Sequence, residues 1–133
     1  MSAGVLIVAL CGLAGCETAP SSSTYDGEEL YVAYCASCHG VTGAGDGPVA
    51  ASLNTLPTDL RTIQASSGGV FPLDEVIELI DGRAYRTVHG TAQMPVWGYA
   101  FRPFEEDTSE QQRNVQNRIV AIADYLATIQ IAE

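Results

Sequence analysis

The hexapeptide CASCHG, Cys35 to Gly40, decides how the rest of this chain is read. It sets two thiols three positions apart and puts an imidazole directly after the second. A disulfide between them would close only a four-residue segment and constrain little. A thioredoxin-type redox pair needs alternating strands and helices around it, and no stretch here alternates like a strand. A zinc site needs about four ligands, whereas the chain after residue 25 offers two Cys and two His, with His39 adjoining Cys38.

The remaining chemistry uses all three residues together. On a helical turn, residues at i and i+3 face the same way. Two thiols so placed can each add to one vinyl group of a haem, and the next residue, His39, then comes under the ring to give Nε2 to the iron. C-A-S-C-H is the pattern of such an attachment. It makes Cys35 and Cys38 the covalent haem residues and His39 an axial iron ligand. GAGDG, Gly43 to Gly47, has a rival reading as a phosphate-cradling loop, but it follows no strand and lacks a G-K-[ST] ending. A Gly-rich turn that lets backbone approach a flat ring fits it better.

The chain has 133 residues, room for one small domain. Sixteen Asp and Glu stand against six arginines and no lysine, a formal net charge of −10. That balance excludes nucleic acid as a partner, since phosphate binding needs a basic surface. Near the start, Ala3 to Leu13 form an apolar run too short to span a bilayer but suited to a signal peptide. It ends in LAGC, Leu13 to Cys16, which resembles the lipobox of bacterial lipoproteins, cut before a Cys that is lipidated. The first ten residues lack the Lys or Arg that such a leader ordinarily carries. The expected organisation is a lipoprotein signal peptide over residues 1–15, the lipidated Cys16 and a Ser-rich flexible tether over 16–25, and one folded domain over 26–133.

Three helices are expected. Gly27, Tyr31, Cys35 and Cys38 share one face of a helix from about Asp26 to Ser37. Leu73, Val76, Ile77 and Ile80 form the stripe of a second, about Pro72 to Asp81, stopped by Gly82. Val115, Ile119, Ile122, Leu126 and Ile129 form that of a third, about Ser109 to Ile129, with Thr108 and Gln111 as a capping box. The long Gly-, Pro-, Ser- and Thr-rich stretches 39–71 and 83–107 need something to wrap around. A large apolar cofactor would serve as the missing core.

On these residues the folded region resembles a class I c-type cytochrome of the bacterial single-haem kind. Gly27, Tyr31 and Cys35 repeat the G-x-x-x-aromatic-x-x-x-C pattern of that family's first helix, and Ile122 with Tyr125 match the apolar–aromatic pair of its last. The resemblance implies an all-α small cytochrome c fold, three to five helices with long loops wrapped around one covalent haem c. It implies that the first and last helices cross closely at Gly27. It also implies that the carbonyl of Pro48, in CHGVTGAGDGP, accepts a hydrogen bond from Nδ1 of His39. The family carries its second axial ligand in an M-P loop before the last helix. Met94 in QMPVWG, 55 positions after His39, answers to it. His89, five residues earlier, is the competing ligand. Trp97 and Tyr99 are candidates to pack on the haem, and Arg61, Arg83 and Arg86 to pair with its propionates.

With both axial positions filled by protein, the iron can only change oxidation state. The expectation is an electron carrier, not an enzyme. It would be a monomer tethered by lipid to the periplasmic side of a bacterial membrane and would exchange electrons with redox partners of basic or neutral docking face. Two alternatives remain open: a subunit of a larger dehydrogenase or oxidase, and a gas sensor or peroxidase-like enzyme with an open sixth site.

Overall fold

The computed structural model describes residues 24–83, 94–102 and 108–131. The leader, Cys16 and most of the tether lie outside these residues, as do Arg86 and His89. Among the described residues there is no strand, and no helix is long and apolar enough to cross a membrane. The fold is all-α.

The first helix, α1, spans Gly27–Tyr34. Asp26 caps it, its carboxylate accepting from the amides of Glu28 and Glu29, whose own side chains suit the positive end of the helix. The helix expected to run on to Ser37 is interrupted at Cys35, where φ widens to −113°, and resumes as a single turn, α2, over Ala36–His39. Gly40, at φ 78°, ends α2 in a conformation other residues adopt only at a cost. Two 3₁₀ turns, Ala50–Ser52 and Leu60–Thr62, and a one-turn helix, α3 at Ile63–Ser66, organise the stretch that looked irregular in sequence. Helix α4 covers Leu73–Asp81, with Pro72 as its N-cap and Gly82 in the left-handed region at its end. A further turn, α5, is Trp97–Ala100. The long helix α6 spans Ser109–Thr128, and both bonds of the Thr108–Gln111 capping box are present.

The expected apolar stripes form the core. Val115, Ile119, Ile122 and Leu126 of α6 are buried against Tyr31 of α1 and against Val76 and Ile80 of α4. Helices α1 and α6 cross closely: a Cβ built on Gly27 would collide with the carbonyl oxygen of Ala121 and come within 3.0 Å of the Tyr125 Cβ. The Tyr31 and Tyr125 rings, 5.2 Å apart, seal the crossing. It holds the end of α1, and so the cysteine-bearing turn, at one edge of the core.

Candidate functional site

Cys35, Cys38 and His39 open onto a cavity of about 410 Å³, shared with Tyr34, Met94 and Trp97. A second cavity, about 450 Å³, adjoins it. Cys35, His39, Thr58, Met94 and Pro95 stand on the walls of both. Most of the second wall is hydrocarbon, from Leu60, Ile63, Val76, Leu79, Ile80, Ile122 and their neighbours. Residues distant in sequence, on α2 and just before α5, thus meet at one apolar slot.

The α2 turn is fixed from three directions. The Tyr31 hydroxyl donates to the Gly40 carbonyl at 2.7 Å. Burial, together with the charges that Cys35, Tyr125 and Asp46 would place nearby, pushes that phenol up to about 12, so it stays a donor. The glycine loop folds back onto the turn: the amide of Gly45 donates to His39 O at 2.8 Å, that of Gly47 to Cys38 O at 3.2 Å and that of Val49 to Ser37 O at 3.1 Å. Amides spent in this way form no phosphate cradle. Finally, His39 Nδ1 lies 3.2 Å from the carbonyl oxygen of Thr58. A carbonyl only accepts, so Nδ1 carries the proton and the lone pair is left on Nε2.

Three expectations change here. The partner of His39 Nδ1 is Thr58, not Pro48. The loop after Gly40 closes so tightly on the α2 carbonyls that Pro48 is turned outward and exposed, and the chain brings the carbonyl of the 58–59 peptide to the imidazole instead. Trp97 lines the first cavity, but Tyr99 does not; it is half exposed, its ring 5.4 Å from the Arg102 guanidinium. Two positions on one helical turn differ by about 200°, so α5 cannot aim both rings inward. Arg61 and Arg83 are committed to carboxylates two residues back, Arg61 Nη2 at 2.7 Å from Asp59 and Arg83 Nε at 2.6 Å from Asp81, and neither lines the slot. The hydrogen bonds from Arg61 and Arg83 hold both carboxyls below their usual range.

Sequence reasoning missed Thr58, because its role rests on a backbone carbonyl and leaves no side-chain signal. It also missed Leu53, Leu56, Leu60 and Ile63, which line the slot. Apolar residues recurring through an otherwise polar loop were the available sign.

The slot suits a flat apolar ring system with polar chemistry at one point. A redox pair would need a ready thiolate, yet burial, reinforced by Cys38, pushes the Cys35 thiol up to about 12. No group of three His, Cys, Asp or Glu side chains able to hold a metal ion occurs among the described residues. A haem asks for something else, two thiols and one imidazole lone pair at the mouth of an apolar slot.

Residues 23–110 match the family model described as cytochrome c oxidase, cbb3-type, subunit III. No curated protein and no solved structure matches the chain. The match takes in α1 to α5 and every residue that meets at the slot except the α6 positions, and the chain therefore belongs to the cbb3-type cytochrome c oxidase subunit III family, a c-type cytochrome whose cofactor is covalently bound haem c with its iron.

Proposed function

We propose that this chain is a single-haem electron carrier in which Cys35 and Cys38 form the two thioethers and His39 Nε2 and the Met94 sulfur are the axial ligands. The observation that carries this reading is the convergence of those four side chains on one slot, with His39 Nδ1 bonded to Thr58. Haem iron held so gives and takes one electron. The protein residues do the rest. The Thr58 carbonyl orients the imidazole and makes it a better donor. The Gly45 and Gly47 amides hold the turn rigid, so little has to rearrange between oxidation states. Leu53, Leu56 and Trp97 give the slot an apolar lining, which tunes the potential alongside the ligand pair.

The lipid anchor on Cys16, the flexible tether, the periplasmic location and the monomeric state belong to the same proposal. They are supported by LAGC and by the composition of residues 16–25. A carrier of charge −10 suits redox partners with a basic or neutral docking face. A second reading has its own support: the family description names an oxidase subunit, so the domain would serve as the electron-entry subunit of a membrane oxidase rather than as a free shuttle. Purification of the native protein in mild detergent separates the two, since only the second brings oxidase activity with it.

The ligand assignment is tested on holoprotein matured with its haem. Met94→His is expected to lower the reduction potential, because imidazole favours ferric iron more than thioether does. Met94→Ala is expected to let carbon monoxide bind the ferrous form quickly. Unchanged potential and carbon monoxide binding in both variants would remove Met94 from the iron.

A further inference from the structure

A third cavity, about 370 Å³, lies between α5 and α6, and none of the cysteines, His39 or Met94 is on its wall. Its lining is unlike the rest of this acidic chain. It contains two arginines, Arg102 and Arg118, the side-chain amides of Gln111 and Asn114, and the rings of Tyr34 and Phe101, with no Asp or Glu among the described lining residues.

Arg118 is the centre of it. Its guanidinium stands 5.1 Å from the Tyr25 ring centroid and 5.7 Å from that of Phe101. Aromatic faces hold such a cation in place, but they satisfy none of its N–H groups. Arg118 Nε is buried and has no hydrogen-bond partner among the described residues. Arg61 and Arg83 show the contrast, each closed onto its own Asp. A buried donor left unpaired is destabilising, and an acceptor that reached it would recover the loss. The Gln111 side-chain oxygen already accepts from the Thr108 amide, so the outward chemistry of Gln111 is its NH₂. The described wall therefore offers donors and the Arg118 cation, while the Arg102 charge also acts on Asp81.

We propose that this cavity binds a carboxylate, with Arg118 as the principal donor, Arg102 adding charge, and the Gln111 and Asn114 amides completing the shell. A carboxylate fits better than a bare ion for two reasons. Its two oxygens match the planar fork of a guanidinium. The volume falls within the range of small-molecule sites, about 300–1,000 Å³, and leaves room for an apolar body against Phe101 and Tyr34. The carboxylate belongs either to a free small acid or to an Asp or Glu side chain of a docked redox partner. The second source has a reason in the geometry: Tyr34 lines both this cavity and the cysteine-bearing one. A partner seated here would stand one ring away from the redox slot.

The test uses ¹⁵N-labelled holoprotein at fixed ionic strength, titrated with sodium benzoate and, separately, with an end-capped triglutamate peptide. The Arg118 Nε–H and Asn114 side-chain resonances are expected to shift saturably with one or both probes. Saturation by benzoate alone assigns the site to a free acid, and saturation by the peptide to a partner side chain. Arg118→Gln, followed at Asn114, is expected to weaken binding at least tenfold, and Arg61→Gln to leave it unchanged. If Arg118→Gln does not fold, Arg118→Lys keeps the charge without the fork and is expected to bind several-fold more weakly. Shifts that never saturate with either probe, or folded Arg118 variants that bind as tightly as the parent, would overturn the proposal.

Discussion

Tyr31 has no contact with solvent, yet it joins two jobs. Its ring packs in the α1–α6 crossing, and its hydroxyl pins the carbonyl of Gly40, the residue that follows the imidazole. Gly40 O also accepts from the Gly43 amide at 3.1 Å. Tyr31→Phe therefore leaves no carbonyl unpaired and should cost only about 1 kcal/mol at pH 8. The effect of pH is more telling. The phenol is pushed up from 10.0 to about 12 in the folded chain, so the stability it contributes is complete below pH 10 and is lost as pH rises through about 12. Urea denaturation at pH 8 and pH 11 should show the wild type losing more stability over that interval than Tyr31→Phe. Equal losses would mean that some other group governs the alkaline limit. At this scale the sequence pointed to Cys35, Cys38, His39 and Met94 because side chains carry their chemistry, and the structure brings all four to one slot, whereas Tyr99, Arg61 and Arg83 lie off it. It was unreadable where a backbone carbonyl carries the chemistry, which is why Pro48 stood where Thr58 belongs.

Among the elements, α1 was legible from its stripe and α6 from its stripe and capping box, because amphipathic period and capping chemistry are local. The short turns α3 and α5 were not. One turn carries too little periodicity, and its shape is imposed by the slot it borders. The α1–α6 crossing was legible only through the small residue Gly27. Gly27→Ala should separate the helices, since the added methyl would run into the Ala121 carbonyl. Overpacking of this kind costs about 1–3 kcal/mol, partly offset by alanine's better helix propensity, worth up to about 1 kcal/mol. A net loss of denaturation midpoint is expected. A gain would show that α6 yields freely at Ala121.

For the whole molecule, sixteen acids against six arginines leave a formal charge of −10, so the long-range field is that of the acids. Electron transfer to the physiological partner should slow as salt rises, because screening acts over about 10 Å at 0.1 M. A rate that climbs with ionic strength would rule out attractive steering. The overall architecture was legible because CASCHG implies a large group, and a large group explains long loops. The third cavity was not, since no local pattern brings residues 25, 102 and 118 together. Trp97 carries a further consequence, an optical one. It is the chain's single tryptophan, and it stands on the wall of the cysteine-bearing cavity. An indole that close to a porphyrin passes its excitation to it and emits little. Thioethers keep the pigment on the chain after unfolding, and Trp97 then lies 59 positions along the chain from Cys38, an average span of about 40 Å for a flexible chain. The folded protein should be dark at tryptophan wavelengths and the unfolded one bright, so that a fluorimeter alone counts the open molecules.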